Sequence, residues 1–148
     1  MQELFTEGFT YDGEIRPRGA KISQGYWSAD EILKRLPTNE RDVCLILTSL
    51  ELKGDYGRIH GKGHPGKAVV SNISFIGGSE QDTFDPRYID FQAIVFHELG
   101  HTLGLTHHET KETEHCNMTL IHYPQPDWRS LKEIRFCEDC YKQLQLKS

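Results

Sequence analysis

What this chain lacks narrows what it can be. No apolar run approaches the roughly 20 residues that span a bilayer, so the sequence offers no membrane-spanning helix. Its start, Met1-Gln2-Glu3-Leu4-Phe5, has no basic stretch followed by an apolar one, so the expectation is no signal peptide and a cytoplasmic address. Dense Lys/Arg runs are missing as well. With 17 basic and 22 acidic residues the formal net charge is −5, and a mildly acidic surface repels phosphate backbones, so nucleic acid is a poor partner. Internal repeats and low-complexity tracts are absent. Cysteine is scarce and unevenly placed: Cys44 sits inside the apolar run Val43-Cys44-Leu45-Ile46-Leu47, while Cys116, Cys137 and Cys140 crowd into the last third. In a reducing compartment such spacing reads as metal binding or redox chemistry before it reads as a disulfide framework.

What is present fits one globular domain. The 148 residues are 36% hydrophobic and 26% charged, ordinary values for a chain that folds around one core. Ser28-Ala29-Asp30-Glu31 has the form of a capping box, and Ile32, Leu33 and Leu36 follow at helical spacing until Pro37. Val43–Ser49 reads as a buried strand. The glycine-rich stretch 53–67 predicts a loop carrying His60 and His64, and Ala68–Phe75 predicts another strand. Asp85-Pro86 opens a helix expected to run from about Arg87 to Leu103, with Gly104 just beyond its end. Thr106–Gln125 should be irregular, and a last helix is expected over about Cys137–Leu146.

The helix ending at Leu103 carries the chemistry. His97-Glu98-Leu99-Gly100-His101 is an H-E-x-x-H motif. Residues four apart share a helix face, so both imidazoles can reach one metal, and Glu98 can meet a metal-activated water rather than the metal. The pattern continues through Gly104 to His107, giving H-E-x-x-H-x-x-G-x-x-H. A glycine there lets the backbone leave the helix and bring His107 in from a third direction. Three protein nitrogens with a fourth position free for water is the layout of a catalytic zinc site, suited to amide hydrolysis with Glu98 as general base. A later carboxylate (Glu109, Glu112 or Glu114) is the rival third ligand, disfavoured by Gly104 and His107.

A second cluster lies downstream. Cys116, Cys137 and Cys140 need one more ligand to close a tetrahedral structural zinc site; His108 is the preferred fourth ligand and His115 the alternative. The expected cofactors are therefore two Zn2+ per chain, one catalytic and one structural. A thiol–disulfide oxidoreductase built on Cys137-x-x-Cys140 would need a βαβ context that the sequence does not show. Cys44 reads as a small core residue.

Together these residues resemble the archaemetzincins, zinc metallopeptidases of the metzincin clan with the pattern H-E-x-x-H-x-x-G-x-x-H-C, then C-x-M, then C-x-x-C. His97, Glu98, His101, Gly104 and His107 match the first part, Cys116 and Met118 the second, Cys137 and Cys140 the third. Two departures stand out: His108 replaces the family's cysteine, and the gap before Cys116 is longer. Imidazole suits zinc as thiolate does, so ligand chemistry is preserved. The resemblance implies an α+β, compact metzincin fold: an α/β-like N-terminal subdomain (about 1–107) with a twisted mixed sheet and the active-site helix, and a small zinc-stabilised C-terminal subdomain (about 108–148), forming one catalytic domain over 1–148. It also implies that Met118 floors the site, and that an upper-rim strand, here assigned to Ala68–Phe75, pairs with extended substrate. Tyr123 lies where some metzincins place a hydrogen-bonding tyrosine, though packing or exposure is the stronger reading. Trp128 and Phe136 are expected to cover the C-terminal core, His60 and His64 to be solvated, and Asp30 and Glu31 to serve the helix start.

The functional expectation is a zinc-dependent metallopeptidase acting on a peptide or protein, with aminopeptidase action suggested by the resemblance and a monomer as the default state. The competing expectation is a catalytically latent, zinc-stabilised peptide-binding protein.

Overall fold

The computed structural model describes residues 21–23, 26–36, 43–73, 91–109, 116–120 and 134–147. In chain order they form β1 (Lys21–Ser23), β2 (Tyr26–Ser28), α1 (Ala29–Lys34), β3 (Cys44–Thr48), β4 (Glu51–Gly54), β5 (Gly57–Ile59), β6 (Gly61–His64), β7 (Lys67–Ser71), α2 (Phe91–Thr102) and α3 (Glu138–Lys147).

Helix α1 starts as its cap predicts: the Ser28 hydroxyl accepts the Glu31 N–H at 3.2 Å. The Glu31 carboxylate turns instead to Lys34, at 2.9 Å. The inner face of the helix, Ala29, Ile32 and Leu33, joins Leu36, Leu52 and Val69 in one buried cluster, with the half-buried Cys44 packed against it. Cys44 is a half-buried core-edge residue and not the buried core residue its sequence context suggests, because the strand expected to be buried, β3, is only partly covered, with Leu47 60% exposed.

Two sheets form, in the orders β1-β2-β4-β5 and β3-β7-β6. In the second, β7 runs parallel to β3 and antiparallel to β6. Every residue of β7 from Ala68 to Ser71 is buried, because the strand is covered on both faces. Val69 points into the α1 cluster, while Val70 packs with Ala93 and Ile94 of α2. Burying one such valine contributes roughly 1.5–3 kcal/mol.

Two expectations need correcting. The glycine-rich stretch 53–67 is mostly sheet, not loop: it supplies the end of β4, all of β5 and β6, and the start of β7. Gly57 and Gly66 make the turns possible, with φ of 125° and 84°. His64 accordingly lies on a strand. Second, Ala68–Phe75 is not a rim strand, since β7 is hydrogen-bonded on both sides; among the described residues β6 is the end strand beside α2. Positions 74–75 lie outside the described residues.

Helix α2 packs across β6 and β7 and is buried along most of its length, including His97, Glu98, Gly100 and Thr102. Its expected start near Arg87 falls outside the described residues. Its end is well defined. Leu105 N–H reaches back to the Gly100 carbonyl at 3.0 Å, Gly104 N–H reaches the His101 carbonyl at 3.0 Å, and Gly104 has φ 83°. This pair of bonds around a left-handed glycine stops the helix and reverses the chain. Beyond it, Leu105, Cys116, Met118, Phe136, Cys137 and Cys140 gather on Phe96 of α2. Phe136 stacks on Phe96 with centroids 4.2 Å apart. Among the described residues no helix is long and apolar enough to cross a membrane.

Candidate metal centres

The turn at Gly104 sends His107 back over the helix, so that three imidazoles meet. His107 Nε2 lies 3.0 Å from His97 Nε2 and 3.1 Å from His101 Nε2. Backbone carbonyls hold two of the rings from behind. His97 Nδ1–H donates to the Asn117 carbonyl, and His101 Nδ1–H to the Leu105 carbonyl at 2.9 Å. These bonds fix the tautomer and leave each Nε2 lone pair facing the others. Burial holds His97 down to about 3, and also lowers His101 and His107. All three rings are thus neutral near pH 7, the form that ligates a metal. A tetrahedral zinc with Zn–N of about 2.0–2.1 Å needs nitrogens roughly 3.3–3.4 Å apart, and the observed spacings come close to it. The donor set fits zinc, one ligand short of four.

Glu98 lies on the neighbouring face of α2, beneath β6. The contact depends on two glycines. A Cβ on Gly61 would stand 2.8 Å from Glu98 Cγ, and one on Gly63 would stand 2.7 Å from the Glu98 carbonyl oxygen and 2.8 Å from His101 Cβ. Only a strand without side chains on this face can approach so closely. Burial pushes the Glu98 carboxyl up to about 8, against the pull of Lys62. Lys62 and His64, alternating with the glycines, take the opposite face and meet Asp30 of α1, at 2.8 Å and 3.6 Å.

The second cluster gathers His108, Cys116, Cys137 and Cys140. His108 Nε2 is 3.4 Å from Cys116 Sγ, 3.4 Å from Cys137 Sγ and 3.3 Å from Cys140 Sγ. Cys116 and Cys140 sulfurs are 3.7 Å apart, matching the roughly 3.7–3.8 Å edge of a zinc tetrahedron with Zn–S of about 2.3 Å. The cysteines are free thiols, not a disulfide. His108 Nδ1–H donates to the Glu109 carbonyl at 2.8 Å, again leaving Nε2 to face inward. The hydrogen bond from Cys140, with others from the Met118 and Cys137 N–H groups, holds the Cys116 thiol down to about 5, and pushes Cys140 up. A single parallel bridge between His108 and Thr119 ties the segment after α2 to the turn at 116–119.

His97, His101 and His107 fall in the first of these groups, His108, Cys116, Cys137 and Cys140 in the second, and Glu98 lies beside the first. His115, Glu112, Glu114, Tyr123 and Trp128 lie outside the described residues. Met118 is fully buried, and its sulfur fills the space that a Cβ on Gly100 of α2 would occupy. Two contributors escaped the sequence reading: the Gly61/Gly63 face of β6, and Asn117, which holds His97. The alternation of glycine at 61 and 63 was a usable signal for a strand packed hard against a helix. Asn117 gave no signal beyond its place between Cys116 and Met118.

No protein-family model matches the chain. It is 30% identical over 127 residues to an astacin-like metalloprotease toxin from Loxosceles intermedia, spanning 80% of this chain but only 46% of that protein. Over 136 residues it is 32% identical to the archaemetzincin of Methanocaldococcus jannaschii, covering 84% of this chain and 69% of the relative. The chain belongs to the archaemetzincin family. Solved structures agree on the fold. The archaemetzincin of Methanopyrus kandleri superposes with a TM-score of 0.63 at 24% identity, over 91% of this chain and 74% of that one. That of Archaeoglobus fulgidus, crystallised with malonate, gives 0.57 at 23% identity, over 81% and 70%. The mixed sheets, the helices and the C-terminal metal-binding cluster make up a compact metzincin-like fold of the α+β class, and the family places the chain among metallopeptidase-like proteins of the metzincin clan.

Proposed function

We propose that this protein is a zinc-dependent metallopeptidase in which residues 1–148 form one catalytic domain, His97, His101 and His107 hold the catalytic zinc, and Glu98 is the general base. The observation that carries this reading is the convergence of three neutral imidazoles, with His107 Nε2 within 3.1 Å of both His97 Nε2 and His101 Nε2, next to a buried carboxyl covered by a glycine-faced strand. Zinc held there would supply a Lewis acid and an acidified water. The chain's own residues do the rest. Glu98 takes a proton from the attacking water and returns it to the leaving amine, and the close approach of Gly61 and Gly63 holds its carboxylate beside the histidine cluster for both transfers. His97 and His101 are kept in the ligating tautomer by the Asn117 and Leu105 carbonyls. Strand β6, the end strand among the described residues, passes directly over Glu98, so an extended peptide added to it would lie along the histidine cluster. His108, Cys116, Cys137 and Cys140 form the structural zinc site, which pins the C-terminal segment to α2.

The substrate is a peptide or protein, and family resemblance favours removal of N-terminal residues. The test is incubation of zinc-loaded protein with a complex peptide mixture, read by mass spectrometry, with Glu98→Ala in parallel. Products formed by the wild type alone, shortened from their N-termini, are the expected result. Internal cleavage would reject the aminopeptidase assignment. An untouched mixture with both proteins would favour a latent, zinc-stabilised peptide-binding protein instead.

A further inference from the structure

Three consecutive residues serve three different purposes. The Cys116 sulfur belongs to the Cys3His cluster, the Asn117 carbonyl holds His97, and Met118 fills the space beside Gly100 of α2 that a side chain there would take. The two metal clusters are therefore joined by a single short turn.

A carbonyl can orient an imidazole only as firmly as its own peptide plane is held. Asn117 is 1% exposed and is held by a doublet with Arg135. Its N–H donates to the Arg135 carbonyl at 2.9 Å, and its Oδ1 accepts the Arg135 N–H at 2.7 Å. Its side-chain Nδ2 is buried with no partner among the described residues, so Oδ1 is the atom for which an asparagine is needed there. Both ends of this doublet lead into the Cys3His cluster. Cys116 precedes Asn117 directly, and Arg135 stands two residues before Cys137, whose own N–H donates to Cys116 Sγ at 3.2 Å.

We propose that Asn117 is a positioning residue that couples the two centres: with the Cys3His site filled, its latch to Arg135 fixes the turn and presents His97 in the ligating orientation, so the histidine centre binds its metal more tightly than it does with that site empty. The proposal rests on reading both clusters as metal centres. Carbonyls and carboxylates behind a ligating histidine typically change metal affinity by about 10–100-fold when disturbed. Coupling of this kind is reciprocal, so each centre must strengthen the other by the same factor.

The test uses protein with zinc in the Cys3His site, which is spectroscopically silent, and cobalt(II) titrated into the histidine centre against a competing chelator. Asn117→Ala should weaken cobalt binding about 10–100-fold, while a separate all-cobalt sample still shows the thiolate-to-cobalt charge-transfer band. Binding within about twofold of wild type, with that band intact, would overturn the proposal. If Asn117→Ala does not fold, His101→Ala decides: it should hold its remaining thiolate-bound metal more weakly, and unchanged affinity would overturn the coupling. A wild-type protein giving no thiolate-to-cobalt band would sink the two-centre reading itself, a failure distinct from these.

Discussion

The two clusters use similar atoms in opposite ways. The histidine centre draws its three ligands from one helix and the turn that ends it, all within 97–107, and stops one ligand short of a tetrahedron. The Cys3His centre draws its four from places that the chain brings together only by folding, at 108, 116, 137 and 140, and its sulfurs are buried. A site that leaves a position for substrate can be built on one rigid element. A closed site is better built across several, because its binding energy then becomes folding energy. The division of labour proposed for them follows from that difference.

Removing a ligand from each centre is the most forceful way to break the comparison. His101→Ala should leave one metal per chain by elemental analysis, with the fold intact by circular dichroism. Its turnover should fall by more than the roughly 10²–10⁴-fold that loss of a general base costs. Retention of two metals would remove His101 from the site. Cys137→Ser should do the reverse, shedding the other metal and melting early. Loss of a structural metal is among the few changes that exceed about 4 kcal/mol. At roughly 2–4 °C per kcal/mol for a chain this size, Tm should drop by about 10 °C or more. An unchanged melting curve would mean that the cluster is not structural.

The same contrast explains what the sequence could reveal. The H-E-x-x-H-x-x-G-x-x-H pattern is local, so helix geometry and a glycine stop were enough to foresee how His97, His101 and His107 meet. Cys137 and Cys140 announced a cluster, but only the fold chooses His108 as their neighbour, through a strand-like bridge to Thr119. The strand β6 was hidden because alternation is read from side chains, and here one face has none. Its absence of side chains is the point of contact with α2. Asn117 was hidden for a different reason: its backbone carbonyl orients His97, and any residue type has a carbonyl. The pairing of β3 with β7 is set by contacts across more than twenty residues, which no local pattern encodes.

A subtler change sharpens the comparison at the open centre. Gly63→Ala places a methyl group 2.7 Å from the Glu98 carbonyl and 2.8 Å from His101 Cβ. Overpacking of this kind costs about 1–3 kcal/mol. Because backbone must move, Tm should fall by several degrees and the histidine centre should lose metal affinity, with a smaller loss at the thiolate centre. Equal weakening of both centres would show that the strand supports the whole fold and not the open site in particular.

The far face of the same strand provides the mildest case. Lys62 holds Asp30 at 2.8 Å, and its hydrogen bond and charge, with smaller help from His64, lower the Asp30 carboxyl below its ordinary range. A carboxyl whose folded pKa is depressed adds stability that is fully present above its unfolded value of about 3.9. That stability is lost as pH falls through the lower folded value. Both partners are partly solvated, so the pair contributes less than about 1 kcal/mol. Asp30→Asn should therefore lower Tm by a degree or two at pH 7, with the gap to wild type closing as the pH is taken below 4. Neither metal should be affected, because Lys62 and His64 turn away from the face on which Gly61 and Gly63 meet Glu98. Loss of metal from the histidine centre in this variant would mean that the two faces of β6 are not independent, and that the ion pair helps to set the position of the strand over Glu98.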